Sequence, residues 1–375
     1  MRIAIVTTSK IPSKTANSIQ VMKVCQAYRE LGHDVILFVP GTKKASWAEI
    51  SKNFGIKIEF PIKYIKSFRV FRRYDFSIFI AFYLMFNSFD LVHTWLPQIA
   101  LLAGMLKIPY IMELHGLPTG KFGPYLHKKL FFSDHKKRFL CITKALRALF
   151  EQEYDFKFRD SELVIAPNGV SLDPYTTNIK VDELRSEFGL LDQFSAVYTG
   201  HLYQGRGMTL LVELAKIMQD VQFLWVGGRE EDVQYWKNVV QKLGIKNLKL
   251  TGFVNNDEIP SYQLLGDVLL MPYENIIAGS SGGNSVEFCS PMKMFEYMAA
   301  GKPIISSNLP ILHEVLNEKN AIFCDFDKVD QWVNAINQLR LNPKLASKIG
   351  KKAKQDVEQF TWIMRTKNSL DGFVS

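Results

Sequence analysis

Lys293 and Glu296 are the residues of this 375-residue chain whose types and spacing most directly suggest chemistry. They lie between Cys289 and Ile305, where Ser290 is a good N-cap, Pro291 suits a first helical turn and Gly301 ends a helix of about ten residues. Three apart, the ammonium and the carboxylate share one helix face near its N-terminus, where free N–H groups and the helix dipole favour an anion. By themselves they describe either an anion site or a structural Lys–Glu pair. The stretch Gly279 to Asn284 precedes them and reads as a loop that closes over a ligand or as plain disorder. A metal site is not expected: no D-x-D pair stands in a suitable loop, and His127 and His135 lie eight apart among lysines.

The elements that must position these residues follow an alternating pattern. Short apolar runs at Ile3–Val6, Val35–Val39, Leu91–Thr94, Tyr110–Leu114, Phe139–Thr143 and Leu163–Ala166 read as strands buried on both faces. Between the first two, Val21, Val24, Cys25, Tyr28 and Leu31 keep helical spacing up to a C-cap at Gly32, which makes a β-α-β unit. Runs at Ala196–Thr199, Phe223–Val226, Leu248–Thr251, Val268–Met271, Pro303–Ser306 and Ile322–Cys324 repeat the scheme. The expectation is an α/β protein of two doubly wound domains facing across a deep cleft, with ligands at the carboxyl ends of the strands. The boundary is expected after Asn168, Gly169 and Val170, in the polar hinge Ser171 to Lys180 that precedes a helix at Val181 to Phe188. This gives domains at 1–172 and 173–357.

With 47% hydrophobic and 22% charged residues and only 38 Gly and Pro, the chain is neither disordered nor collagen-like nor a disulfide scaffold. Cys25, Cys141, Cys289 and Cys324 are scattered in apolar runs, as reduced core thiols would be, which fits a cytoplasmic protein. The apolar start Ile3 to Val6 is too short for a signal peptide. The longest apolar run, Ile78 to Phe86, is nine residues, too short to span a bilayer, and reads as a buried helix, with re-entrant or interfacial insertion as the alternative.

Charge is unevenly placed: residues 1–170 carry 25 Lys and Arg against 13 Asp and Glu, and the remainder 21 against 24. The basic half suits something anionic. Lys63, Lys66, Arg69, Arg72 and Arg73 alternate with Tyr64, Ile65, Phe68, Val70 and Phe71, either as a membrane-interfacial patch or as a solvated helix face whose aromatics point inward. A second cluster comprises Lys128, Lys129, Lys136, Lys137 and Arg138. No recognised motif points to nucleic acid.

The string S-P-x-K-x-F-E-Y-M-A-A-G-K-P from Ser290 to Pro303 resembles the donor-site helix of retaining, nucleotide-sugar-dependent glycosyltransferases of the GT-B fold, family four. In the order expected of that family, Tyr198 to Leu202 followed by Arg206 and Gly207 resembles the strand and loop that present basic side chains to the donor diphosphate. Asn168 to Val170 with Asp173 resembles the strand exit before the interdomain linker. His115 and Gly116 resemble the first-domain loop facing the donor sugar, and Phe360, Thr361 and Trp362 the start of a terminal helix, 358–375, that packs back on the first domain.

The resemblance implies that Glu296 accepts hydrogen bonds from the ribose hydroxyls, that Arg206 neutralises the diphosphate leaving group and that His115 contacts the donor sugar. Donor contacts are also implied for His201, Gly207, Ser290, Pro291, Met292 and Lys293. The chain departs from the family at three places. His201 stands where a second arginine is usual, which weakens the diphosphate clamp or makes it pH-dependent. The glutamate usual eight positions before Glu296 is Phe288; either Glu287, the nearest acid, reaches in from a shifted loop, or, as preferred here, backbone N–H groups from Ser290 to Lys293 hold the sugar. Asn17 and Ser18 occupy the place of a glycine-rich acceptor-side loop that here lacks glycine.

The expected activity is retaining transfer of a hexose from a nucleotide diphosphate sugar to an acceptor sugar or lipid-linked sugar in cell-envelope polysaccharide or glycolipid synthesis, with no metal and no cofactor. A cytoplasmic location, peripheral to the inner face of the membrane, goes with it. A non-catalytic nucleotide-sugar-binding protein of the same fold and a GT-B sugar-nucleotide epimerase are the alternatives.

Overall fold

In the computed structural model, which describes all residues except 43–44, 69, 71–72, 177–180, 191–192, 278–283 and 375, the chain divides into two compact units. One joins Met1–Asn168 to Trp362–Ser375; the other is Gly169–Thr361. Four free cysteines are present, with Cys25, Cys141 and Cys324 buried.

The first unit is built on seven strands, β1 (Arg2–Val6), β2 (Asp34–Pro40), β3 (Ile62–Ile65), β4 (Leu91–Thr94), β5 (Tyr110–Leu114), β6 (Lys137–Cys141) and β7 (Leu163–Ile165). Their order is β3-β2-β1-β4-β5-β6-β7, with every neighbouring pair parallel. Ile3 pairs with Val35 on one side and Leu91 on the other, and all three are fully buried, as helices covering both faces require. The helix Ala16–Glu30 buries Val21, Val24, Cys25 and Tyr28; its C-cap is Leu31, and Gly32 follows with φ 82°. The terminal helix Trp362–Leu370 packs on Ala16–Glu30 and completes this unit.

The second unit contains β8 (Ser195–Thr199), β9 (Gln222–Val226), β10 (Leu248–Leu250), β11 (Val268–Met271), β12 (Ile304–Ser307) and β13 (Ile322–Cys324), in parallel order β10-β9-β8-β11-β12-β13. Each sheet is a doubly wound, Rossmann-like sheet with one point where the strand order reverses, between β1 and β4 and between β8 and β11. The crevice beyond the carboxyl ends of the strands at such a point is where this architecture binds ligands.

Four expectations need correction. The helix around the longest apolar run, Tyr74–Met85, buries only Phe76, Ser77, Ile80 and Leu84, and its other face is exposed. The basic segment before it is not one helix: Ile62–Ile65 is the edge strand β3, and Phe68 and Val70 are exposed rather than turned inward, while Arg69, Phe71 and Arg72 lie outside the described residues. Strand β6 begins two residues earlier than its apolar run, because Lys137 and Arg138 are buried in it. Lys137 donates to the carbonyls of Phe131 and Ser133, and Arg138 to those of Ser369, Asp371 and Ser161, so neither belongs to a surface cluster. Finally, the helix Met292–Ala300 takes Pro291, at φ −68° and ψ 126°, as its N-cap in place of Ser290.

Candidate functional site

In the second unit, β8 delivers the segment Gly200 to Gly207 to the crevice and β11 delivers Tyr273 and Glu274, while the helix Met292–Ala300 presents its N-terminus. Two glycines make this close approach possible. A Cβ on Gly207, which has φ +73°, would stand 2.0 Å from the Pro272 carbonyl oxygen. One on Gly200 would stand 2.7 Å from Lys293 Nζ.

Lys293 is half-buried as a residue, yet its Nζ is enclosed and makes no hydrogen bond. The ammonium lies 3.9 Å from the centroid of the Tyr198 ring and 5.3 Å from that of Tyr273, so aromatic faces stabilise it rather than a bond to Glu296. Burial, and then repulsion from Arg206, holds its amine well below the ordinary lysine range, with Glu296 opposing. Arg206 shares the same ring, its guanidinium carbon 4.9 Å from the Tyr273 centroid and 5.0 Å from that of Tyr203, whose hydroxyl accepts its Nη2–H at 3.1 Å. Two cations thus converge beside one helix N-terminus.

His201 stacks on Tyr203 at 5.1 Å between centroids, and its Nδ1 is buried with no partner. Burial, together with Arg206, Lys293 and Arg229, pulls its pKa down to about 4. With no anion in the site the imidazole is therefore neutral near pH 7.

Glu296 accepts from Gln263 Nε2 at 3.1 Å, and Gln263 is itself fixed by Tyr175 Oη at 2.5 Å and Thr199 Oγ1 at 3.1 Å. The carboxylate is therefore oriented by neutral amide and hydroxyl groups anchored in β8 and the helix Ile259–Leu265. Ser290 is buried, Pro291 and Met292 form the helix start, and Glu287 is exposed on the turn Ser285–Cys289. The glycine-rich stretch falls largely on 279–283, outside the described residues; Asn284 Oδ1 accepts from the N–H groups of Ile277 and Val286.

His115, Asn17 and Ser18 belong to the first unit. His115 leaves the end of β5 with its Nε2 3.0 Å from Glu113 Oε2 and 3.3 Å from Gln20 Nε2, on the helix Ala16–Glu30, whose first turn carries Asn17 and Ser18 where a loop was expected. Glu113 is fully buried and accepts both Arg365 Nη1 at 2.8 Å and Nη2 at 2.7 Å, with His93 Nε2 at 3.1 Å. Burial would raise this carboxyl, but Arg365 and the bonds from His115, His93 and Arg365 outweigh it and hold it well below the usual range. Burial keeps His93 neutral; it donates through Nε2 to Glu113 and receives the Tyr28 hydroxyl at Nδ1, 2.9 Å away. The Asn17 amide donates to Ser9 Oγ at 2.9 Å. The buried Ser18 hydroxyl bonds the carbonyls of Thr15 and Ser13, a loop-bracing role.

No local sequence signal marks Tyr203, Tyr273, Gln263, Glu113 or Arg365, and Tyr198 stands out only as the start of the segment that leads to Arg206. An aromatic in or beside a buried strand looks like core, and Arg365 reaches Glu113 across 252 positions, where no local pattern exists.

With this geometry in place, comparisons with known proteins define the class. Residues 180–356 match the family Glycosyl transferases group 1, and residues 18–174 match Glycosyltransferase Family 4. An uncharacterised glycosyltransferase of Methanocaldococcus jannaschii is 25% identical over 290 residues, 74% of this chain and 72% of the relative. The UDP-Gal:alpha-D-GlcNAc-diphosphoundecaprenol alpha-1,3-galactosyltransferase of Escherichia coli is 23% identical over 272 residues, 67% of this chain and 66% of the relative. Among solved structures, Anabaena HepE in complex with UDP has a similar fold, with TM-score 0.75 at 15% identity over 98% of each chain. The chain belongs to the group 1, family four glycosyltransferases of the GT-B fold.

Proposed function

We propose that this glycosyltransferase moves a hexose from a nucleoside diphosphate sugar to an acceptor hydroxyl with retention of anomeric configuration, in the synthesis of envelope polysaccharide or glycolipid. The observation that carries the reading is the enclosed Lys293 ammonium, without a hydrogen-bond partner and sharing the Tyr273 ring with Arg206 at a helix N-terminus. Burial disfavours the charged form of this amine, so an arriving anion is what stabilises it as an ammonium, and a diphosphate carries the matching charge.

In this reading Arg206, Lys293 and the first N–H groups of the helix, from Met292 onward, hold the diphosphate, and Glu296 holds the ribose hydroxyls. Gly207 lets the chain approach, neutral His201 donates or accepts a hydrogen bond, and Ser290 and Pro291 shape the turn beneath the sugar. His115 contacts the donor sugar, with Asn17 and Ser18 on the acceptor side. The bond from the anomeric carbon to the phosphate oxygen breaks as the acceptor oxygen bonds to the same face. The acceptor proton goes to the departing phosphate, so no side-chain nucleophile takes part. Fixed cations stabilise the leaving group in the role a metal has elsewhere. We place the reaction at the cytoplasmic face of a membrane, in keeping with the relative named for transfer to a lipid diphosphate-linked sugar.

Thermal unfolding of the wild type and Glu296→Ala with UDP, GDP and ADP, free and as glucose or mannose conjugates, tests the donor site. A ligand at 100 times its Kd stabilises by about 2.7 kcal/mol, which is roughly 5–10 °C for a domain of this size. A shift with one base, lost in the variant, supports the reading; no shift with any nucleotide in folded protein refutes it. Release of that nucleoside diphosphate only when acceptor is present then separates a transferase from a binding protein that does not turn over.

A further inference from the structure

We propose that the exposed face of the helix Tyr74–Met85 is a membrane-docking surface that lies in the interface of an anionic bilayer. This deepens the membrane part of the proposed function and takes its purpose from it, but its test does not run through sugar transfer.

At 12 residues the helix is about 18 Å long, too short to cross a bilayer. Its buried side is Phe76, Ser77, Ile80 and Leu84, on neighbouring turns. The opposite side carries Tyr74, Ile78, Phe79, Phe82, Met85 and, just beyond the helix, Phe86, all between 42% and 80% exposed. Successive steps of three and four residues put these side chains on one stripe, and Phe68 and Val70, which precede the helix, are exposed as well. An apolar surface this continuous is unusual on a protein that meets only water and marks an interaction site.

Charge selects the occupant. Residues 60–89 contain five Lys and Arg, of which Lys63, Lys66 and Arg73 are among the described residues, and one acid, Asp75. That acid is occupied locally: its Oδ1 accepts from the Ser67 hydroxyl and the Phe76 N–H, and its Oδ2 from the Phe68 N–H. Lys63 lies against the Tyr83 ring, 4.4 Å from its centroid, and donates to its hydroxyl at 2.6 Å; Lys66 lies 5.3 Å from the Phe68 centroid. Cations laid along aromatic rings beside an apolar stripe match lipid phosphates above an acyl boundary. A two-fold contact with a second copy would bring the same excess of positive charge against itself.

The experiment is co-sedimentation at low salt with phosphatidylcholine vesicles, with and without phosphatidylglycerol. The proteins are the wild type, Phe79→Ser/Phe82→Ser and, as a control, Ile217→Ser, which removes an apolar side chain that is 55% exposed in the second unit. The wild type and control are expected to bind the anionic vesicles more strongly than the neutral ones, with binding falling as salt rises. The double variant is expected to lose about tenfold or more in partitioning. An unchanged melting curve and nucleotide shift in the double variant show that the loss is not unfolding. Absence of vesicle binding by the wild type, equal binding by the double variant, or a wild-type dimer in sedimentation velocity that the double variant dissolves would each overturn the proposal, the last assigning the face to a second copy. A nucleotide shift missing from a protein that still partitions would count against the transferase and support this surface alone.

Discussion

Replacing Arg365 by Met should destabilise the first unit more than any surface change, and the geometry sets the size. Glu113 is enclosed and ionised, and its two oxygens divide four donors: two from Arg365, one from His93 and one from His115. Met fills similar volume but leaves the anion with imidazole donors alone. Breaking a buried pair from one side costs about 3–5 kcal/mol. That corresponds to a fall of roughly 6–20 °C in Tm for a domain of this size. The sign of the pH dependence follows from the depressed carboxyl: its contribution is fully present above the ordinary glutamate value and is lost as pH falls through the lower folded value. In Arg365→Met, burial raises that carboxyl instead, so it protonates readily in mild acid. The gap between variant and wild type should therefore be widest at neutral pH and shrink below about pH 5. Adding Glu113→Gln removes the stranded charge and should restore at least half of the lost Tm. Calorimetry of the three proteins at neutral and acid pH reads this out. A neutral-pH Tm loss under about 2 °C for Arg365→Met, or no recovery in the double variant, would refute the ion-pair account.

Lys293→Met should leave the ligand-free protein at least as stable as the wild type, since it removes an enclosed ammonium with no hydrogen bond, while weakening the nucleotide-induced thermal shift; a markedly lower ligand-free Tm would speak against it. Gly207→Ala forces a Cβ toward the Pro272 carbonyl at φ +73° and should cost on the order of 1–3 kcal/mol in urea unfolding; an unchanged midpoint would show that the loop gives way. His201 binds a proton near pH 6.5 when unfolded but only near 4 when folded, so it contributes a loss of stability that begins as pH falls below about 6.5 and is complete below about 4. His201→Asn should remove that part of the acid sensitivity, on the order of 3 kcal/mol, and melting curves of equal pH dependence would contradict it.

The alternation of buried strands was legible because parallel strands covered on both faces carry uninterrupted apolar runs, as in Ile3 to Val6 and Val268 to Met271. Strand β3 was not, since Lys63 and Tyr64 interrupt it at a sheet edge where one side meets solvent. The run Ile78 to Phe86 was legible as a helix but not in its orientation: an apolar residue facing water and one facing a core are the same letter. The Lys293 and Glu296 helix announced itself through local chemistry, whereas the tyrosines that surround Lys293 did not, because a ring that holds a cation and a ring that fills a core follow the same spacing. Nothing local marks Arg365 as the partner of Glu113.

The two-part composition of the first unit has a consequence for synthesis. The ribosome makes Glu113 long before Arg365, 252 residues later, an interval of about 13–50 s at usual elongation rates. Until then Glu113 has only His93 and His115 as partners, while the second unit, Gly169–Thr361, is a single run of chain. The order of maturation is thereby inverted: the unit translated first is the one finished last, and the closing act is the docking of Trp362–Leu370 that brings the guanidinium to its waiting anion.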